Sequence, residues 1–566
     1  MTNRNRPNTE FAFLKRPLSH CIKTVIAGSI LTATTQAHAL NFDLTDEINV
    51  DVDTSLTYDA QWRMKNPSEQ ILAGGNLNGN HKSPGTAALL MFDADDGNRN
   101  FKKHDMTANK VSFSTDIDLT YKNGGVFARV RGWYDDVYND DDLLTQKNPA
   151  APGVGQTVGQ VRPQLKDGLS EHQSDLEILD LFVHNNFDIG DQTASLRVGR
   201  QVVSWGESMF VGGGVSSAQS PVDATKANNP GVELKDIFLP LGQVYLETSL
   251  NDAVSVGAYY QWEWEHTRID APGSFFNVLD TLGQGSTGDV ADTTHPVAHK
   301  DADEGQFGLA VRYMAEDLNN TEFGLYYLQY NDFFPSIQFI PGVIGPGLTN
   351  THFEDINLIG ASFGTVFGDT NVSGEITYRD GQPVQLASPG FYFAKGETVQ
   401  AQVSVIHLFG DTPIADNLTF FGEVGYNRVL GIDLSAENET VLALVAPGFN
   451  ANNIGASLDN DRGAAGATVR LKADYFSVAN GLDMSVAATY KTNFNGVSSV
   501  PFTFTESADQ LALKVDFNYL SGHSFGASYV AYLADLDKIV EQRGELELAH
   551  LNQDRDNFSV FYKYRF

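Results

Sequence analysis

The chain has 566 residues, is 42% hydrophobic, and carries 38 Lys and Arg against 71 Asp and Glu, a formal net charge of −33. That acidity excludes binding to nucleic acid or other polyanions through bulk electrostatics. After residue 39 no apolar run reaches the roughly 18 residues that a helical span requires. This removes helical membrane proteins but not a β-barrel, in which only every second residue meets lipid.

The chain begins with Arg4, Arg6, Lys15, Arg16 and Lys23, then an apolar run from Thr24 to Ala33, then Ala37-His38-Ala39 before Leu40. A basic start, a short apolar stretch and a small-x-small site read as a secretory signal over residues 1–39. Residues 40–566 then form one unit, since no linker or low-complexity tract divides them. Cys21, the lone cysteine, falls within the signal, which leaves no disulfide.

The first strand is the clearest. Ile48, Val50, Val52, Thr54, Leu56, Tyr58, Ala60, Trp62 and Met64 share one face, and Asp51, Asp53, Ser55, Thr57, Asp59, Gln61 and Arg63 the other. A period of two held this long exceeds the five or six residues of soluble strands and suits a tilted span. The pattern returns on both sides of Asn123-Gly124, a strong hairpin signal. Further tight turns are expected at 188–192, 251–252, 315–320, 368–370, 410–417, 477–481 and 521–523. Long segments alternate with them, among them 65–106, 139–173, 204–242, 267–303 and 430–464. Short turns on one side and long loops on the other are the habit of outer-membrane barrels. The expected fold is therefore all-β: a transmembrane antiparallel β-barrel of about 18 strands, with 16 as the alternative count. Aromatics near the strand ends (Tyr58, Trp62, Tyr121, Tyr260, Trp262, Trp264, Tyr313, Tyr490, Tyr519, Tyr564, Phe566) read as two interfacial girdles.

The rows facing inward carry both signs of charge, including Arg129, Arg131, Arg197, Glu247, Glu263, Glu265, Glu375, Glu423, Arg470, Lys491 and Lys514. A wall of mixed charge can hold water and steer solutes; cross-strand pairing that stabilises the lumen is the plainer reading. Arg200 falls on the outward row, which puts it at headgroup depth or on a bulge. Residues 204–242 are too apolar for a free loop, with Trp205, Met209, Phe210, Val211, Val222, Leu234, Ile237 and Phe238. This extracellular loop is expected to fold inward and constrict the barrel, packing on Phe127, Trp133, Phe182, Phe421 and Phe561. Ser220-Pro221 with Asp223 reads as a helix start, and Gly212-Gly213-Gly214 as a flexible bend. Candidate constriction residues are Arg129, Arg131, Arg197, Trp205, Phe210, Asp223, Lys235 and Phe238.

Three outer loops are also apolar: the run holding Phe333, Phe334 and Phe339, the run from Phe391 to Phe393, and Val441 to Val445 with Leu444, which reads as a short helix. Such patches usually contact a ligand, partner or lipid; their packing together over the mouth is the structural alternative. Catalysis finds little support, and no enzyme is expected. The two G-x-S-x-G matches, at Ser362 and Ser524, lie in strand runs rather than at strand-to-helix elbows. His295 and His299 have the spacing of a helical metal pair, but Pro296 follows the first and no Glu stands beside it. No metal site or cofactor is expected. The acidic runs at Asp93 to Asp96, Asp135-Asp136 and Asp140 to Asp142 suit a lipopolysaccharide surface, though such runs are usually solvated loop.

The chain ends with Phe558, Val560, Tyr562, Tyr564 and Phe566 on one face, which resembles the terminal signal of outer-membrane barrels. The stretches from Asp95 to Phe101, Leu196 to Glu207 and Pro230 to Lys235 resemble a proteobacterial outer-membrane family catalogued only as a domain of unknown function. The resemblance implies a long porin-like barrel, a lipoprotein partner and a link to hydrophobic-compound metabolism, with no catalytic residues to carry over. The expectation is an outer-membrane channel of a Gram-negative bacterium for small hydrophobic molecules such as fatty acids, esters or sterol-like compounds. A non-conducting surface scaffold or adhesin and a membrane-embedded ester hydrolase are the alternatives.

Overall fold

The computed structural model describes residues 40–566 apart from 69–70, 73–95, 146–160, 162–164, 229–231, 279–281, 290–291, 297, 341–346, 387–392, 434–457, 521 and 544–546. The expected signal segment, Phe391 and the apolar run at 441–445 with Leu444 lie outside the described residues.

The main sheet has 19 strands. Leu40–Thr45 only extends one edge, by pairing with Ile48–Arg63 below the last strand. The other 18 are antiparallel and close on themselves: Ile48–Arg63 pairs with Met106–Tyr121 on one side and with Asn557–Arg565 on the other. Closure leaves no open edge in the ring, which is what lipid demands of a strand structure. The tight turns fall where the sequence placed them, for example between Tyr121 and Gly124, Ile189 and Gln192, Phe367 and Thr370, and Ala479 and Leu482.

Alternation fixes which face each side chain occupies. On Thr321–Tyr330, Phe323, Leu325 and Tyr327 point out and are exposed, while Tyr326, Leu328 and Tyr330 point in and are buried. The outer surface is an apolar band that includes Leu309, Val311, Leu325, Ile359, Ile376, Val424, Leu471 and Leu513. So broad a band is tenable only against lipid, so the fold is a transmembrane barrel. Tyr121 and Tyr519 mark the short-turn rim, and Tyr260, Trp262 and Tyr490 the long-loop rim. Trp264 departs from the expected girdle: it lies beyond the strand end and packs edge-on against His352, centroids 4.6 Å apart.

Arg200 keeps its outward parity, opposite exposed Leu181, and pairs at 3.1 Å with both Glu263 and Glu265. Those two acids therefore do not join the inward wall, because Val254–Gln261 ends before them. His295 and His299 lie in separate short strands, Asp292–Pro296 and Ala298–Lys300, so the helical spacing does not arise.

The mouth is roofed by long loops. Ile71, Leu282, Leu536, Ile539 and Leu551 form a buried cluster with Phe334 against it. Arg63, fully buried, ties this roof to the wall through Asn98, the Phe101 carbonyl and an ion pair with Asp554 at 3.1 Å. Phe333 is buried and Phe334 lies 3.8 Å from Phe502, centroid to centroid. Phe339 pairs with Leu348 in a hairpin of Ser336–Ile340 with Gly347–Thr351, and Phe393 opens a barrel strand and packs inward.

The lipid-facing band has a direct test. Leu325, 63% exposed at mid-strand, replaced by Arg is expected to lower folding stability in phospholipid vesicles by about 2–4 kcal/mol if it stands at the bilayer midplane. Equilibrium refolding into vesicles measures it, and a loss under about 0.5 kcal/mol, as for an ordinary surface change, would contradict the membrane assignment of this face.

Candidate functional site

The chain between Gln192–Gln201 and Leu241–Ser249 folds into the lumen. Its backbone has little regular structure, so its amides need partners from elsewhere. Two wall carboxylates supply them. Glu375 accepts from the Glu207 amide at 2.7 Å and the Val215 amide at 3.0 Å. Glu423 accepts from Met209 at 3.0 Å, from Val211 at 2.6 Å, and from Phe210. Arg379, fully buried, returns the favour by donating to the Gly214 carbonyl at 2.8 Å, and Gln400 donates to the Gly212 carbonyl at 2.6 Å.

At Gly213 and Gly214 the triple glycine is a close approach rather than a flexible bend, whereas a Cβ on Gly212 would meet open space. A Cβ on Gly214 would stand 1.9 Å from the Glu375 carboxylate, and Gly213, at φ +87, would press on Gln400. Only glycine lets the backbone reach these acceptors.

Trp205 is buried among Tyr245, Tyr259 and Tyr326, with ring centroids 6.3, 5.1 and 6.1 Å away. Val203, Val215 and Ala218 join it against Leu328, Ile356 and Leu358. This surface replaces the expected Phe127, Phe182, Phe421 and Phe561, of which Phe127 pairs with Phe182 at 5.3 Å and Phe421 and Phe561 lie beside Arg470 and Lys514. Trp133 does meet the segment, through Lys226 at 3.7 Å from its ring centroid. Thr321–Tyr330 is apolar on both faces, the mark of a strand covered on both sides, and that pattern was open to reading.

The helix start also shifts. Only Ala224–Ala227 is helical, with Asp223 at the N-cap, because Val222 bridges to Phe238 and holds Pro221 in extended chain. Asp223 is the centre of a buried charge cluster, 2.7 Å from Arg131 and 3.7 Å from Arg268, with Glu177 at 2.8 Å from Arg131. Burial alone would raise the Asp223 carboxyl, but Lys226, Arg131 and Arg268 outweigh it and hold the group below the usual range. Burial pushes Lys226 down to about 7 against the pull of Asp223. Lys235 reaches Asp116 at 3.2 Å, which also holds Arg129 at 2.6 Å, and Glu233 takes Lys563 and Arg565 at 2.8 Å each. Arg197 lies over Tyr245 at 4.7 Å. Of the candidate constriction residues, Arg131, Trp205, Phe210, Asp223 and Lys235 make contacts between segment and wall, Arg129 shares Asp116 with Lys235, Arg197 contacts only wall residues and Phe238 pairs within the segment.

Open space remains beside the segment, along the wall from Gly463–Ala479 round to Met106–Tyr121. An outer cavity of about 350 Å³ holds Phe334, Phe502 and Lys491. It adjoins one of about 400 Å³ with Arg470 and Lys514, the two sharing Phe276, Gln510 and Tyr532. That one shares Val232 with a cavity of about 60 Å³ between Asp59, Lys110 and Lys563. A separate polar cavity of about 220 Å³ lies by His172 and Arg268. Among the described residues, no cluster of His, Cys, Asp and Glu could hold a metal. Ser362 and Ser524 are both in strands, bonded to Tyr326 at 3.0 Å and Asn518 at 2.8 Å.

A closed eighteen-strand wall with a segment clasped across its interior defines a membrane barrel of the porin-like kind. The chain belongs to the family described as "Protein of unknown function (DUF1302)", which matches residues 21–566. No curated protein sequence matches it. Among solved structures it is similar to OccAB1 of Acinetobacter baumannii (12% identity, TM-score 0.42, 94% of this chain and 99% of that one). It is also similar to the outer membrane channel DcaP of Acinetobacter baumannii (10%, 0.35, 93% and 99%) and to OpdK of Pseudomonas aeruginosa with vanillate (10%, 0.36, 91% and 98%). Likeness at this level bears on neither substrate nor mechanism.

Asp223→Ala leaves buried Lys226 without its carboxylate and Arg131 and Arg268 sharing Glu177 alone, and is expected to cost about 3–5 kcal/mol, seen as a lower temperature for loss of the compact electrophoretic band and as trypsin cleavage within 226–235. Because the folded group lies below a free Asp, its contribution is complete above about pH 4 and lost as pH falls further. Cleavage in the wild type should therefore start only after acid treatment below that value.

Proposed function

We propose that the protein is a channel of the bacterial outer membrane for small solutes with a substantial apolar part. The observation that carries this is the file of three adjoining cavities leading from the mouth past the inward segment. Its outermost cavity is walled by Ile269, Val278, Leu282, Phe334 and Phe502 and joins a polar passage with Ser528, Ser559 and Thr489. An apolar entrance gathers solutes from dilute water, and hydroxyl-bearing walls below let them leave again, as conduction requires. Lipopolysaccharide would meet the acidic outer loops.

The segment sets the bore. Its contacts on Glu375, Glu423 and Arg379 lie five or more strands from its own root, so it reaches across the lumen. Replacing residues 207–238 by a short Gly/Ser linker is expected to raise single-channel conductance in planar bilayers several-fold. Unchanged conductance would exclude the segment as the constriction, and no conductance in either form would favour a surface scaffold.

A further inference from the structure

Cations along the lumen differ in what they face. Near the segment's root, each of Arg129, Arg131, Arg268, Lys226 and Lys235 stands within 4 Å of a carboxylate. On the wall that borders the open cavities the balance differs. Lys491 and Arg470 have no carboxylate partner among the described residues, and the Arg470 Nε is buried without a hydrogen bond, its guanidinium lying 5.9 Å from the Phe421 ring. In a chain with a net charge of −33, two cations left without acids beside the two larger open cavities are unexpected.

Register places them in sequence. Arg470 pairs with Thr489, two residues below Lys491, and Lys514 pairs with Ala487, two residues lower again. At about 3.4 Å per residue the steps are roughly 7 Å. Lys491 belongs to the apolar outer cavity, and Arg470 and Lys514 to the next. Lys514 is partly satisfied by Asp516 at 3.2 Å. The one acid on the outer cavity, Asp270, is pushed up to about 7 by burial, with Asp223 adding to it, so below pH 7 it offers little charge to oppose an anion.

We infer that the outer cavity is a binding site for an amphiphilic anion, a medium-chain or aromatic carboxylate whose apolar body lies against Phe334 and Phe502 and whose carboxylate meets Lys491 before passing to Arg470. The proposal rests on the channel reading and names its solute class. A cavity of about 350 Å³ lies within the range of small-molecule sites, and loss of a charge-assisted contact there is expected to weaken binding about tenfold or more.

The experiment uses the full chain in planar bilayers, with octanoate added on the loop side at pH 6. Octanoate should interrupt the ion current reversibly, and octanamide and acetate should do so at least about tenfold more weakly. Lys491→Gln should weaken block by octanoate about tenfold, and Lys491→Glu should shift preference to octylammonium. Phe502→Ser should weaken octanoate and leave acetate unchanged, and equal heat-modifiable electrophoretic mobility checks that each variant folds. Octanamide blocking as well as octanoate, or block unaltered in both Lys491→Gln and Arg470→Gln, would overturn the site while the channel stands. Labelled octanoate retained by reconstituted vesicles and lost in Lys491→Gln, with no conductance in either, would keep the site and overturn the channel.

Discussion

Every main-chain amide in the lipid-spanning wall and in the buried part of the lumen must find an acceptor without help from bulk water, and that requirement shapes both the wall and what lies within it. Around the wall it is met by closure, each strand bonding to two neighbours. Across the interior no such ladder is available to residues 203–239. There, Glu375 and Glu423 take five amides between them. Each is a charge-assisted bond, about twice as strong as a neutral one. The glycine at 214 follows from it, because no side chain fits between backbone and carboxylate. The apolar packing of Trp205 follows as well, since anchoring at 207–215 presses the start of the segment onto Tyr245, Tyr259 and Tyr326.

The lumen is accordingly divided. One side is dry, filled by aromatic and aliphatic side chains from the segment and from strands 321–330 and 356–367. The other side keeps open space and unmatched positive charge. Charge thus acts as structure where it is paired and lines open space where it is not. The same residue type serves both ends: Arg131 is fixed between Glu177 and Asp223, whereas Arg470 faces open space.

Much of the wall was legible from the sequence because the period of two is local and the tight turns carry Asn-Gly and similar signals. The inward folding of 204–242 was legible for a different reason, its excess of apolar residues. What the segment packs against was not. Glu375 and Glu423 stand in rows that look like any lumen charge, and only the three-dimensional path brings the segment's amides to them. Arg200 kept the parity its strand predicts, but its partners Glu263 and Glu265 come from beyond the end of Val254–Gln261, where alternation no longer applies. The helix at 224–227 is shorter than Ser220-Pro221 suggested because the bridge from Val222 to Phe238 takes the first of those positions.

The seam between Ile48–Arg63 and Asn557–Arg565 joins the earliest and latest strands of the ring. Arg63, at one end of that seam, draws its carboxylate from Asp554, which arrives only with the last hairpin. An unzipped seam therefore leaves a guanidinium stranded in the loop roof, a penalty of several kcal/mol. Insertion of the final strand and sealing of the external cap are consequently a single cooperative event, so a nascent barrel that stalls short of circularisation also remains uncapped.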